Sequence, residues 1–421
     1  MGRLMNFTLV KLDNVKIDRW LIIDFLIALS CVFLLLYILK QAHIEKSYTN
    51  SYAALADAFI HGKLFVDRCF DGDCATFEGK SWVVFPPLPA IITMPFVALF
   101  GLKFKGFIII STLCAAASGF LWFKIFRNFG MEKRNATLLT LVISFGTPVW
   151  FVVRTGDQIW FFAQAIAFLC VTAAFYQALA RRMLWAGVFL GLAILSRQFT
   201  VLLAPFIFYL SYEPSRRILQ FDRTIIRRAL LFAAPIAISL FVYFMYNYVR
   251  FGHALETGYK YLFVDMPADQ RTVVANRLVE HGLFSTKYFF HNAMYFFFQG
   301  FHIEFTGKTV TTVSGLDPYG TSIFAASPFL ILILFLKMNK VNFIGCATIT
   351  LMATVMLFYF SNGWIQHNTQ RYTLDWLPVL FALLPPVLMT QDRMNMFRIL
   401  GGISIALNVM TVLTIMIIHH N

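Results

Sequence analysis

Long apolar runs separated by short basic loops confine this chain to a membrane, and one of those runs decides how it threads. Runs near 20 residues recur at Leu21–Leu39, Gly106–Phe123, Leu138–Val153, Ile159–Leu179, Leu230–Tyr248, Thr321–Leu336, Phe343–Phe360, Trp376–Met389 and Ile399–Ile418. A helix rising about 1.5 Å per residue covers a hydrocarbon core of roughly 30 Å with about 20 residues. Two shorter runs, Met183–Leu195 and Phe199–Leu210, are candidate half-depth helices. Hydrophobic residues make up 59% of the 421 and charged residues 13%, spread too evenly for a soluble appendage. The first run has no small-residue cleavage site behind it, so it is expected to be a retained anchor rather than a signal peptide.

The deciding run is Phe85–Gly101. Lys and Arg in short loops favour the cytoplasmic side. With the N-terminus cytoplasmic and Phe85–Gly101 held outside, cytoplasmic segments carry 19 basic residues, from Arg3, Lys11, Lys16 and Arg19 through Arg216 and Arg217 to Arg393 and Arg398. The short outer loops carry three, Arg154, Arg197 and Arg371, and the remaining 13 of 35 lie in two long outer loops where the rule is weak. If Phe85–Gly101 crossed, 15 of the 19 would face outward. The expected fold is therefore all-α and integral to the membrane, with about 11 crossings and an outer C-terminus at Asn421. It forms a single polytopic domain with a large first extracytoplasmic loop, 41–105, carrying juxtamembrane helices, and a second long outer loop, 248–320. The net charge of +14 is mostly topology and implies no nucleic-acid partner.

The first outer loop has local order. Tyr52, Leu55, Ala56, Phe59 and Ile60 fall on one helical face, with Thr49 or Asn50 able to cap its start and Gly62 its end. Asn50, Asp57 and His61 fall opposite, so the helix is expected in the interface plane. Pro86-Pro87-Leu88-Pro89 suits the first turn of a second, re-entrant element ending at Gly101. Between them stands the turn sequence Cys69-Phe70-Asp71-Gly72-Asp73-Cys74. Cys31, Cys114, Cys170 and Cys346 sit within apolar runs, whereas Cys69 and Cys74 lie outside, where a disulfide persists. The alternative is two free thiols; zinc is disfavoured because no histidine stands at ligand spacing.

The strings Ala56-Asp57-Ala58-Phe59-Ile60-His61-Gly62-Lys63-Leu64 and Phe85-Pro86-Pro87-Leu88-Pro89 resemble the first loop of polyprenyl-phosphate-sugar-dependent glycosyltransferases of the GT-C superfamily. So do Phe145-Gly146-Thr147-Pro148, Gly187-x-x-x-Gly191-Leu192-Ala193, Ser196-Arg197 and Arg371-Tyr372-x-x-Asp375-x-x-Pro378. The resemblance implies a lipid-phosphate sugar donor, an acidic residue acting as base, and usually no metal or other cofactor. It also implies an extracytoplasmic active site on a multi-pass cell (inner) membrane protein, and a glycan, lipid or protein acceptor. One departure stands out. The protein mannosyltransferase and aminoarabinose transferase branches carry an acidic pair just before a Tyr or Phe in the first-loop helix; here the residues before Tyr52 include Tyr48-Thr49-Asn50.

Moving a sugar from a phosphate carrier to a hydroxyl needs a carboxylate to take the acceptor proton, and cations or donors where the leaving phosphate gains charge. Asp57, the only carboxylate within the first-loop helix, is the expected base, with Glu45, Asp67 and Glu78 in reserve. Arg371, Arg197 and Arg154 are the expected phosphate ligands, since the planar guanidinium binds phosphate bidentately. Further candidates are Asn50, His61, Asp157, Lys260 and Asp375. The bland alternatives are a solvated Asp57, an Arg371–Asp375 pair four apart on a helix, and an interfacial Arg154–Asp157 pair. Asp24 is an intramembrane charge of open role. The second long loop, with Tyr259-Lys260-Tyr261 and its Phe and Tyr clusters, suits either an interfacial helix or sugar stacking.

A glycosyltransferase is thus the expected function, with a lipid-linked glycan flippase or a polyprenyl-linked glycan polymerase or ligase as alternatives. A flippase calls for charges within several helices and internal repeats, and neither pattern is evident here. The threading is directly testable. A topology reporter fused near Lys103 is expected to read as extracytoplasmic and one at Arg217 as cytoplasmic; a cytoplasmic signal at Lys103 overturns the parity argument.

Overall fold

The structure is a computed structural model describing residues 19–211, 222–361 and 365–418. The expectations placed on Arg3, Lys11, Lys16, Arg216, Arg217 and Asn421 lie outside the described residues. The first helix, α1 (Arg19–His43), is apolar on every side apart from Asp24 and its polar ends. Ile27, Cys31, Leu34 and Ile38 form its buried stripe while Leu21, Phe25, Leu29 and Leu36 stay exposed. A helix that is hydrophobic all round and only partly buried has lipid as its other neighbour. The first long loop follows, with α2 (Ser51–Ile60), a hairpin of β1 (Cys74–Phe77) and β2 (Lys80–Val83), and α3 (Leu88–Phe100). Then come α4 (Phe107–Asn128), α5 (Lys133–Phe145), α6 (Val149–Arg154), α7 (Ile159–Leu179), α8 (Met183–Ile194), α9 (Ala204–Leu210) and α10 (Arg223–Phe251). The second long loop holds α11 (Val273–His281), α12 (Phe289–Ala293) and a second hairpin, β3 (Ile303–Thr306) with β4 (Thr312–Leu316). The chain closes with α13 (Ile323–Ala326), α14 (Lys340–Leu357), α15 (Leu377–Val387) and α16 (Gln391–Ile418).

The protein is a multi-pass, all-α membrane protein. Six of these helices, α1, α4, α7, α10, α14 and α16, are long and apolar enough to cross a bilayer. At 13 residues α3 is only about 20 Å long, too short to cross as a straight helix. It packs against α2, and Leu88 N donates to Leu195 O at 3.0 Å. The two hairpins are strands that helical periodicity did not anticipate. In the first, Glu78 and Gly79 both have positive φ, as a tight two-residue hairpin turn requires.

Several expected spans are broken. Leu138–Val153 divides at Gly146-Thr147-Pro148 into α5 and α6, because proline supplies no N–H and ends the ladder. The carbonyls this frees are capped from other helices: Gly146 O accepts from Ser327 Oγ at 2.7 Å and Phe145 O from Asn408 Nδ2 at 2.7 Å. Irregular backbone at membrane depth persists only when protein satisfies it in this way. Thr321–Leu336, expected as one membrane helix, is instead the single turn α13 followed by a 3-10 segment, Pro328–Phe335, divided at Ser327-Pro328.

Two features hold the bundle. Asp24 on α1 lies 2.7 Å from Arg134 Nε and 3.1 Å from Arg398 Nε; Arg398 Nη2 also donates to Asn135 Oδ1 at 2.8 Å. The open role of Asp24 is thereby filled: it ties α1 to α5 and α16, and a charge at that depth needs such partners. Gly187 and Gly191 let α8 meet α10 backbone to backbone. A Cβ at Gly187 would lie 2.2 Å from Phe232 O, and one at Gly191 2.3 Å from Ser239 Oγ. Close approach through small residues four apart is how membrane helices gain packing energy without a hydrophobic drive. Gly187→Leu is expected to lower the thermal midpoint in detergent by several degrees or to abolish folded yield. Gly119→Ala, whose new methyl meets only ordinary contacts at 3.6 Å, should change it little. Equal behaviour of the two variants would refute this account of the α8–α10 contact.

Candidate active site

The first long loop, the second long loop and the segment leading into α15 enclose a cavity of about 310 Å³, its wall including Asp71, Asp73, Trp160, Tyr259, Arg371 and Tyr372. A narrower recess of about 50 Å³ adjoins it, sharing Phe85, Trp160, Tyr259, Tyr359, Arg371 and Tyr372 and adding Ser196 and Arg197. Aromatic faces dominate the wall, and the charged groups are few.

The acidic members come from the turn between the two loop cysteines, which are joined as a disulfide with Cα atoms 6.0 Å apart. Asp71 is tethered. Its Oδ2 accepts from Ser51 N at 3.0 Å and its Oδ1 from Asp73 N at 3.2 Å, while Ser51 Oγ accepts from Phe70 N at 3.0 Å. The turn is therefore docked on the start of α2, whose N–H groups lack intrahelical acceptors and favour a carboxylate. The Asp73 carboxylate makes no hydrogen bond or ion pair among the described residues. Burial, then the charge of Asp71, push its pKa up to about 8 against the opposing pull of Arg371. Asp73 keeps some accessible surface, and that surface belongs to the cavity wall.

Arg371 is the cationic counterpart. It is 3% exposed, stands 4.4 Å from the Tyr372 ring and 4.6 Å from the Phe161 ring, and donates from Nη2 to Tyr372 Oη at 3.1 Å. Its Nε and Nη1 have no partner among the described residues although both are buried. Burial lowers its pKa from the ordinary arginine value, the largest single influence on it. The backbone that presents it is strained: Ile365, His367 and Asn368 all have positive φ. That conformation is over-determined by neighbours. Gln366 Oε1 accepts from Arg371 N at 2.7 Å, Gln164 Nε2 of α7 donates to Arg371 O at 2.6 Å, and Asn368 Nδ2 donates to His302 O at 2.7 Å. Gly320, at φ +94, lies against Thr369 O so closely that a Cβ would stand 2.0 Å from it.

Arg197 and Asp375 form the second charged element. Arg197 Nε meets Asp375 Oδ1 at 2.7 Å and Nη2 meets Oδ2 at 2.5 Å, a bidentate pair linking the end of α8 to the segment before α15. Arg371 and Asp375, four apart, do not pair with each other. The run Arg371–Asp375 is a 3-10 turn rather than the α-helix that would have put them on one face.

The other expected site residues lie elsewhere. Asp57 and His61 line a separate depression with Lys63, Asp67 and Arg68, sharing no residue with the cavity. His61 Nδ1 stands 2.9 Å from Asp57 O, and the Asp57 side chain is 36% exposed. Asn50 caps α2, accepting from Tyr52 N at 2.9 Å, and is buried rather than on the polar face. Arg154 packs over Tyr37 and donates to its hydroxyl at 3.4 Å; the neighbouring Asp157, raised in pKa by burial and lowered by Arg154, also stands off the cavity wall. Lys260 pairs with Glu256 at 2.6 Å on the surface. Among the reserve carboxylates, Glu45 is buried and accepts from Gly106, Phe107 and Ile108 N–H groups, capping α4. Asp67 pairs with Lys63, and Glu78 sits in the hairpin turn. Asp71 and Asp73 were visible as a turn between cysteines; their acidity inside that loop was the signal that helix periodicity passed over.

The fold and these positions invite comparison with known proteins. The profile of the dolichyl-phosphate-mannose-protein mannosyltransferase family matches residues 85–244. The crystal structure of ArnT from Cupriavidus metallidurans bound to undecaprenyl phosphate has the same fold, at a TM-score of 0.50 and 14% identity, over 89% of this chain and 62% of that one. The family match spans less than half of the chain, and the structural likeness is one of fold. The chain spans less than two thirds of that structure's length. Comparison with curated proteins gave no match.

The Arg197–Asp375 pair yields a prediction about stability. Removing one partner of a buried pair leaves the other charge uncompensated, at a cost of about 3–5 kcal/mol. Asp375→Ala is expected to lose that much, read as a large drop in thermal midpoint. Arg197→Met with Asp375→Leu together should lose much less, and an equal loss in the single and double variants would contradict the pairing.

Proposed function

We propose that this protein is a glycosyltransferase that moves a sugar from a polyprenyl-phosphate donor to a hydroxyl of a lipid-linked, glycan or protein acceptor on the outer face of the membrane. One observation carries the reading. A buried arginine with two unpaired donors and an untethered carboxylate of raised pKa share a single aromatic cavity. Unpaired buried donors are costly, and their natural complement is an anion with several acceptor oxygens. In this reading Arg371 holds the donor phosphate from the recess side, and Arg197, paired with Asp375, frames the recess beside it. Asp73 takes the proton of the acceptor hydroxyl. The acceptor oxygen forms a bond to the anomeric carbon while the bond from that carbon to the phosphate oxygen breaks. The electron pair leaves with polyprenyl phosphate, whose new charge faces Arg371. Phe85, Trp160 and Tyr259 offer faces for the sugar ring.

This reading moves the base from Asp57 to Asp73. The relatives' acidic pair stands just before the helix aromatic, and this chain has Asn50 and Ser51 before Tyr52. Asp71, tethered to Ser51 N, brings an acidic pair back to the same helix start from a distant stretch of sequence.

Transfer assays with radiolabelled polyprenyl-phosphate sugars test the assignment. Asp73→Asn is expected to lower turnover by about 10²-fold or more while donor binding survives, since general-base catalysis contributes on that order. Asp57→Asn should stay within about twofold of wild type. Only ionised Asp73 accepts a proton, so kcat/KM should rise with pH through about 8 and level off above it. Wild-type turnover in Asp73→Asn sinks the base assignment. Arg371→Lys keeps the charge but loses the planar fork, and should weaken both donor binding and turnover.

A further inference from the structure

We infer that the Cys69–Cys74 disulfide and Ser51 are positioning groups for Asp73, so that transfer depends on the oxidised state of this thiol pair. The inference rests on the reading of Asp73 as the base and goes beyond it. The Asp73 side chain has no tether of its own among the described residues, so its place in the cavity wall is set by the backbone on either side. On one side, Ser51 holds the turn twice, through its N–H to Asp71 and its hydroxyl to Phe70 N. On the other, Cys74 opens β1 and pairs with Val83 of β2. Between them Gly72, at φ +78, reverses the chain. The disulfide joins the two sides across the turn, closing a six-residue ring around Asp71 and Asp73. Cutting it leaves the turn held by Ser51 alone, and Asp73 gains freedom to swing toward water. Misplacing a reacting group by about 1 Å costs up to about 10²-fold. The other cysteines, Cys31, Cys114, Cys170 and Cys346, lie on α1, α4, α7 and α14, away from the cavity wall.

The test uses the purified full chain in detergent or nanodiscs. A phosphine supplies two electrons, converting the disulfide to two thiols, and a thiol titration counts them. The reduced protein is expected to show kcat lowered by about tenfold to a hundredfold, donor KM within about twofold, and an acid limb of kcat/KM displaced below about 8 as water reaches the carboxyl. Reoxidation should restore all three, which separates positioning from unfolding. Cys69→Ser/Cys74→Ser should match the reduced wild type, and adding Ser51→Ala should deepen the loss. Unchanged kcat after full reduction overturns the inference, and so does a loss of kcat with an unmoved acid limb, because the pair then acts on something other than Asp73. Asp73→Asn run alongside keeps the failures distinct. If that variant retains turnover, the base assignment itself falls; if it loses turnover while reduction has no effect, only the positioning role falls.

Discussion

Hydrocarbon offers no hydrogen bonds, and that constraint orders the rest of this structure. Every charge and every freed backbone group at depth must find a partner within the protein. Asp24 has Arg134 and Arg398, Arg197 has Asp375, and the carbonyls at the Gly146–Pro148 break have Ser327 and Asn408. Arg250, buried beside Tyr246, is saturated by Val83 O, Tyr246 O and Asn247 Oδ1 without needing a carboxylate. Other buried groups lack a hydrogen-bond partner too, among them Arg154 Nε and the Trp150 and Trp376 indoles, but Arg371 has two such donors on one charged group. Arg371 keeps two buried donors unpaired and Asp73 keeps an untethered carboxyl, and both belong to one cavity.

The start of α2 is where the first long loop is organised. Asn50 caps the helix, and its Nδ2 reaches Gly156 O at 3.5 Å; Ser51 receives the acidic turn; Tyr52, fully buried, donates to Pro86 O at 3.3 Å. Three consecutive residues thus tie the helix to the α6–α7 connection, the disulfide turn and the proline-led entry to α3. Glu45 performs the matching task at α4, where its carboxylate satisfies three N–H groups at once. Helix termini, each with unpaired donors, are the points at which a loop of this size is fastened to a bundle.

How much of this was legible in sequence depended on whether the signal was local. Apolar runs of about 20 residues mark α1, α4, α7 and α10 because length against bilayer thickness is a one-dimensional property. The α2 periodicity and its Asn50 cap are equally local. Thr321–Leu336 misleads because composition alone does not report that Ser327-Pro328 divides it into a helical turn and a 3-10 segment. The site was harder still. Asp57 is the carboxylate on a recognisable helix, whereas Asp73 of the cavity comes from a turn 16 residues later, brought to the same helix by hydrogen bonds of Asp71 and Phe70 to Ser51. No periodicity predicts a contact made by a turn folding back on the helix before it. The acidic residues enclosed by Cys69 and Cys74 were the nearest thing to a sequence signal.

The segment Arg371–Asp375 shows how backbone type divides charge between roles. In an α-helix, residues four apart are about 40° from eclipsed, so Arg371 and Asp375 would meet and cancel. At about three residues per turn they stand roughly 120° apart. The 3-10 turn therefore sends Asp375 to Arg197 and leaves Arg371 to the cavity, held against aromatic faces instead of a carboxylate. The tight turn is sustained by Gln164 and Gln366 at Arg371 and by the strained residues just before it. One arginine paired with a carboxylate and one held against aromatic faces therefore border the same recess. A continuous helix through the same sequence would have put Arg371 and Asp375 on one face and drawn Asp375 away from Arg197.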